Sequence, residues 1–305
     1  MTVEKLDVKN IQPIPLDNYV KVKEMGNIIE IKDTGKSNRR QSIQLLPGGR
    51  EYIVLRTGEI KEIQTHSSKR VDNVDRLRQS IKDVREIINT NITDNRNALW
   101  VTLTYAENMQ DHRQLGNDLK NFFDRLETYC KNREIEKPEY IAVPEPQGRG
   151  AWHVHMFLIW QHKAPFIAND ELAKVWGHGF TVTKAIRGDI NNLGAYITPY
   201  LTNIPLDKYD GDKDDIDIID TEVANDDGEI ESKKFVKGAR LALYPARFRI
   251  YRTSAGIKKP TVKTMMYIDA RRCIKGVAKT YEDAYKITRG DIENIIHREY
   301  YNKAL

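Results

Sequence analysis

The 305 residues are 40% hydrophobic and 30% charged, long enough for a real core and ordinary for a globular chain. Two cysteines, Cys130 and Cys273, stand far apart in no metal-like spacing, which excludes a disulfide framework and points to a reducing compartment. The start, "MTVEKLDVKN", is charged and unlike a secretory signal, and no apolar run approaches bilayer length, so the expectation is a cytoplasmic protein with no membrane partner.

Residues 1–70 look strand-like and broken by turns, with "GNIIEIKD" and "REYIVLRTGEIKEIQ" set between "LPGG" and "RTGE". Gly35-Lys36-Ser37 invites a phosphate-loop interpretation, but the position five before Gly35 is Glu30 rather than glycine, so no ATP-driven motor is expected. Residues 72–90 have helical spacing through Val74, Leu77, Ile81, Val84 and Ile88. "NALWVTLTYAEN", residues 97–108, reads as a strand. A helix follows with Leu115, Leu119, Phe122, Leu126 and Tyr129 on one side. "PEYIAVPEPQGRGAWHVHMFLIW" reads as strand, tight loop and strand. "ELAKVW" is a short helix, "GHGFTVTKAI" a short strand, and "DINNLGAYITPYLTN" a helix striped by Leu193, Ile197 and Leu201. This order predicts an α+β fold with a central antiparallel sheet flanked by helices.

Net charge is +5 but uneven. Residues 207–231 hold twelve acids and two lysines, a local net of −10, and are expected to form a flexible loop or insertion. Residues 233–263 hold ten Lys or Arg and no acid, interleaved with Phe235, Tyr244, Phe248 and Tyr251. Such a stretch is either a solvated basic strand pair or a surface for a polyanion with stackable bases, and its lack of acids favours nucleic acid. Arg240, Arg247, Arg249, Arg252, Lys258 and Lys259 are the candidate DNA contacts. Residues 282–304 look helical, with Ala284, Ile287, Ile292 and Ile295 loosely periodic. The expected divisions are an N-terminal β-rich region with its helix (1–92) as a possible DNA-recognition part, a core (93–205), an acidic insertion (206–232) and a basic C-terminal region (233–305).

Side chains alternate between the faces of a strand, so Trp152, Val154, Met156, Leu158 and Trp160 share one face and His153, His155 and Phe157 the other. Two imidazoles two residues apart can converge on one divalent ion. If the two strands pair around a loop near Arg149, Glu145 faces His153 and Val143 faces His155. Two histidines and a carboxylate would suit Mg²⁺ or Mn²⁺ with positions left open for a substrate oxygen. A lone His-x-His is a weak signal, and Glu145 across the hairpin is what strengthens it.

Tyr196 and Tyr200 are four apart and share a helix face separate from the Leu193, Ile197 and Leu201 stripe. They are either packed aromatics or nucleophiles for a phosphodiester beside a metal.

"NALWVTLTYAEN", "VPEPQGRGAWHVHMFLIW" and "GAYITPYLTN" together resemble, in order and spacing, the three motifs of the HUH endonucleases. The likeness spans about residues 97–203 and is greatest to two-tyrosine rolling-circle replication initiators of small bacterial plasmids and phages. It implies an RRM-like antiparallel core with the His strand central, His153, His155 and Glu145 as ligands of Mg²⁺ or Mn²⁺, and Tyr196 or Tyr200 as nucleophile. It also implies strand-specific nicking of single-stranded origin DNA through a 5′-phosphotyrosine link, with a host helicase and DNA polymerase as partners. Such initiators commonly carry a lysine three residues after each tyrosine, where this chain has Pro199 and Asn203. Another cation, such as Lys184 or Lys208, would then have to balance phosphate charge, and Pro199 would kink the helix. Tyr196 is favoured narrowly as first nucleophile and Tyr200 as second. The alternatives are a relaxase or single-strand transposase, a non-cleaving DNA-binding regulator of the same fold, and a metal hydrolase of small substrates, which the charge outside the acidic run disfavours.

Overall fold

A computed structural model describes residues 2–35, 43–48, 50–55, 57–62, 74–148, 150–186, 193–209, 211, 216–224, 230–245, 248–289 and 292–305, without the side chains of 74–78, 196–198, 224, 242, 289 and 292. In chain order, strands β1 (Thr2–Leu6), β2 (Tyr19–Met25) and β3 (Ile28–Asp33) precede a small meander of β4 (Ile43–Leu45), β5 (Glu51–Val54) and β6 (Ile60–Glu62). Helix α1 (Val74–Asn91) leads into β7 (Ala98–Tyr105), α2 (His112–Asn132), β8 (Glu139–Pro146), β9 (Trp152–Ile159), α3 (Asn169–Trp176), β10 (Gly179–Ala185) and α4 (Leu193–Thr202). Then come β11 (Ile204–Pro205), β12 (Ile218–Ala224), β13 (Ile230–Val236), β14 (Arg252–Thr253), β15 (Thr261–Met266), α5 (Tyr267–Cys273), β16 (Ala278–Arg289) and β17 (Ile292–Asn302). The fold is α+β with antiparallel sheets, as the alternation of patterns predicts.

The sheet that carries the histidines has the order β10-β7-β9-β8-β14, so β9 is its middle strand. Each face is covered by helices for a reason legible residue by residue. Trp152, Val154, Met156, Leu158 and Trp160 point into a core with Leu115, Leu119, Phe122 and Leu126 of α2 and Leu172, Val175 and Trp176 of α3. On the other face Phe157 and Val143 pack with Val84 and Ile88 of α1 and Leu193 and Leu201 of α4. Asp111 caps α2 by accepting the Arg113 N–H at 2.7 Å.

Three expectations change. Residues 282–304 are not helical: β16 and β17 form a long antiparallel pair within a sheet of order β1-β16-β17-β3-β2-β15. The steps of three, five and three between Ala284, Ile287, Ile292 and Ile295 do not sustain a helical stripe, whereas Tyr281, Asp283 and Tyr285 alternate with Glu282 and Ala284 as a strand requires. The N- and C-terminal regions are therefore not separate, because they interleave in one sheet whose core joins Val20, Val22, Ile29 and Ile31 to Tyr267, Ala270 and Tyr301. Within the acidic run, residues 218–224 form β12, paired to β13, which pairs in turn with β11. Asp220 stands opposite Lys234, and Lys237 Nζ lies 2.7 Å from Asp217, so some of the acids are matched to cations beside them. Lys36 and Ser37, residues 212–215 and residues 225–229 lie outside the described residues.

Candidate active site

The hairpin of β8 and β9 has the register expected from the strand period: Glu145 pairs with His153, and Val143 with His155. Across the other edge of β9, Thr104 pairs with His153 and Thr102 with His155. These six residues share one sheet face. That face also carries Val143 and Phe157 beneath Leu193 and Leu201, so the tyrosine helix α4 packs on the histidine side of the sheet.

His155 Nε2 lies 2.7 Å from Glu145 Oε2, and its Nδ1 lies 3.2 Å from the Thr102 hydroxyl. The Trp100 ring meets it edge-on with centroids 6.3 Å apart. His153 Nδ1 lies 2.9 Å from the Gln147 side-chain amide. Glu145 is buried, and its other oxygen pairs with the guanidinium of Arg240. Burial pushes the Glu145 carboxyl up, but His155 and Arg240 outweigh it and bring it down to about 2, so the group is an anion at neutral pH.

Arg240 is itself buried, in a 3₁₀ turn over Ala239–Leu243. It donates to Pro146 O at 2.8 Å, at the end of β8, and to Asn203 O at 3.2 Å, just past α4. Asn203 Oδ1 accepts the Gly238 N–H at 2.9 Å. The buried Tyr244 hydroxyl lies 3.2 Å from Pro144 O and 3.4 Å from Leu201 O, and burial pushes its pKa up. The segment 238–244 thus fastens the end of the tyrosine helix to the strand that carries Glu145.

Helix α4 runs through Pro199 to Thr202, with Tyr196 and Tyr200 one turn apart on its backbone. The side chain of Tyr196 lies outside the described ones. Tyr200 is half-buried, its ring edge-on to Phe235 of β13 with centroids 5.3 Å apart.

Two imidazoles and an ionised carboxylate on one face of adjacent strands are the donor set that a borderline divalent ion takes. His155 and Glu145 are in contact, while His153 is engaged with Gln147. Among the described residues no group of three or more His, Cys, Asp or Glu is arranged to hold a metal ion. The residues fit such an ion in kind and in face, with the Glu145–Arg240 pair leaving one carboxylate oxygen turned to His155.

The expected DNA contacts divide. Arg249, Lys258 and Lys259 are exposed. Arg252 is half-buried in β14, 3.4 Å from Gly116 O. Arg240 belongs to the buried site rather than to a solvent-facing basic surface, because its donors are turned to Glu145 and two backbone carbonyls. Arg247 lies outside the described residues. Thr102, Gln147, Asn203 and Tyr244 were not legible as site residues. Thr102 carried the clearest signal, standing out of phase with Val101 and Leu103 on the strand beside the histidines.

Among the described residues no helix is long and apolar enough to cross a membrane. No curated protein matches the chain. Residues 98–204, from the first residue of β7 to the first of β11 and about a third of the chain, match the family model described as Replication-associated protein ORF2, which identifies this segment as similar to replication-associated proteins and supports a role in replication initiation.

Proposed function

We propose that the protein is a site- and strand-specific DNA endonuclease and strand transferase that initiates rolling-circle replication. The observation that carries this reading is the shared face: His153, His155 and Glu145 lie in one row of the middle strands, and α4 packs on that same side. The family match covers the same segment.

In this scheme a phenolic oxygen of Tyr196 or Tyr200 attacks the scissile phosphorus of single-stranded origin DNA. The bond from phosphorus to the 3′ oxygen breaks, and the phenol proton ends on that oxygen. The products are a 5′-phosphotyrosine link and a free 3′-hydroxyl. A second transfer rejoins the displaced strand, and two tyrosines allow the two transfers in succession. His153, His155 and Glu145 would hold Mg²⁺ or Mn²⁺, which when bound supplies polarisation of the scissile phosphate. Arg240 keeps Glu145 ionised and in place as a positioning residue. Lys184, on the same sheet face as the histidines, is a candidate for the charge role of the lysines that Pro199 and Asn203 replace. Transesterification needs no nucleotide, so strand separation falls to a host helicase and extension to a host DNA polymerase. The working compartment is the cytoplasm, consistent with Cys130 and Cys273 as free thiols. The same chemistry would serve a relaxase or a single-strand transposase.

The test uses fluorescent single-stranded oligonucleotides tiled across the DNA flanking the gene, with Mn²⁺, run on denaturing gels. The intact protein forms a covalent adduct with one of them. Changing Tyr196→Phe and Tyr200→Phe together removes it, and survival of the adduct in the double variant sinks the nucleophile assignment. His153→Ala removes cleavage while binding stays largely intact. A second reading, a non-cleaving DNA-binding regulator, is favoured by one observation: Glu145 is already engaged by both His155 and Arg240. No adduct from the intact protein with any divalent ion would decide for it.

A further inference from the structure

Strand β10 is the edge of the nuclease-like sheet, two strands from β9, with β7 between them. Its register extends the histidine rows outward. Phe180 pairs with Thr104, which pairs with His153, and Val182 pairs with Thr102, which pairs with His155. Lys184 follows at the next position on that face, opposite Trp100. Phe180 and Val182 therefore lie on the same face as the candidate catalytic row, about 10 Å from it at two strand spacings.

Neither residue is used by the fold. Phe180 is 67% exposed and Val182 is 42% exposed. Structural duties on β10 fall to the opposite face, where Thr181 is buried and donates to Asn169 O at 2.7 Å. Asn169 Oδ1 also accepts the Thr183 N–H at 2.7 Å, which ties the strand to the start of α3. A bare phenyl ring on an open sheet floor, with a lysine four residues along, has the composition of a single-strand site: a π-face for an unpaired base and a cation for its phosphate. Bases inside a duplex are stacked on one another and offer no such face.

Resting on the function proposed above, we infer that Phe180 is a stacking platform for an unpaired base of single-stranded DNA whose neighbouring phosphate lies over the His153–Glu145 row, with Val182 as apolar floor and Lys184 as backbone contact. Phe180 is a substrate-binding residue here, not a catalytic one.

Binding is read by fluorescence anisotropy in EDTA, with a twelve-nucleotide oligo-dT and a duplex of equal length, so that no nicking is needed. Phe180→Ala and Phe180→Leu each weaken oligo-dT binding by about tenfold, in line with the loss of one base–aromatic stack. Phe180→Trp binds as well as the original or better. Duplex binding stays within about twofold, and thermal midpoints are unchanged because the side chain is exposed. Lys184→Ala lowers the salt slope for oligo-dT by about 0.7, whereas Phe180→Ala leaves that slope alone. An abasic nucleotide moved along the oligonucleotide abolishes the Phe180→Ala deficit at one position.

The inference is overturned if Phe180→Ala binds oligo-dT within twofold of the original, if Leu binds as well as Phe, if duplex binding falls equally, or if the intact protein does not bind oligo-dT. A Phe180→Ala deficit without any adduct from the intact protein supports the stacking site and rejects the nicking reading. An adduct with no Phe180→Ala deficit does the reverse.

Discussion

Arg240 has one buried charge partner and two backbone partners, and each belongs to a different part of the site. Taking away the guanidinium would leave Glu145 ionised, buried and short of a cation. Removing one member of a buried ion pair costs about 3–5 kcal/mol. Arg240→Met should therefore lower unfolding stability by about that much in urea titrations, and Arg240→Lys should recover only part, since a point charge cannot serve a carboxylate and two carbonyls as a planar fork does. A loss below about 1 kcal/mol in both would show that the pair does not hold the site together. The same residue marks where sequence reasoning stops. In "KGARLALYPARFR" nothing local separates Arg240 from Arg249, and only tertiary burial assigns one to the interior and the other to solvent. Glu145 opposite His153 was legible because a period of two residues and a short loop leave little freedom in register.

Helix α4 is held against α1 by the absence of a side chain. A Cβ at Gly194 would stand 2.5 Å from Arg85 O and 3.0 Å from Arg85 Cα, and the Gly194 N–H donates to Asn89 Oδ1 at 2.9 Å. Gly194→Ala should thus push the helix outward at a cost of about 1–3 kcal/mol, the usual range for overpacking. The measurable outcome is a lower urea midpoint together with loss of the tyrosine adduct, and an unchanged midpoint would show that the two helices part without penalty. Elements of the central sheet were legible in type and order because each has one apolar stripe or one alternating face. The long C-terminal pair was not: its Ile and Tyr residues are spread over two faces, with polar pairs such as Asp283 and Arg298, 2.6 Å apart, linking the strands. The acidic run misled in another way. Composition alone says that it is solvated, but a strand of acids beside a strand of lysines is matched, and that is a property of the pair rather than of either segment.

At the scale of the molecule, the two ends of the chain build one sheet. Strands β16 and β17 lie between β1 and β3, and contacts such as Tyr300 OH to Glu30 at 3.0 Å and Lys303 N to Asn27 O at 2.9 Å span nearly the whole sequence. This sheet touches the helix that supports α4: Lys23 Nζ lies 2.6 Å from Glu86 of α1, and Gly26, with φ +61, turns so close to α1 that a Cβ would meet Asn89 O at 2.3 Å. Truncation after residue 277 should therefore expose residues 2–33 to rapid proteolysis, while the segment 98–204 stays resistant for longer. Equal resistance of residues 2–33 in the full and truncated chains would mean that the N-terminal strands stand alone. No local pattern announces this partnership, since each end looks like an independent run of strands. The interleaving also sets an order of events during synthesis. The histidine strand can find its neighbours while the ribosome is still at work, but β1 to β3, made first, cannot be completed until residue 302 has emerged. A chain cut short by premature termination would carry a nearly whole central sheet and an unfinished companion, exposing strand edges that mark it for removal.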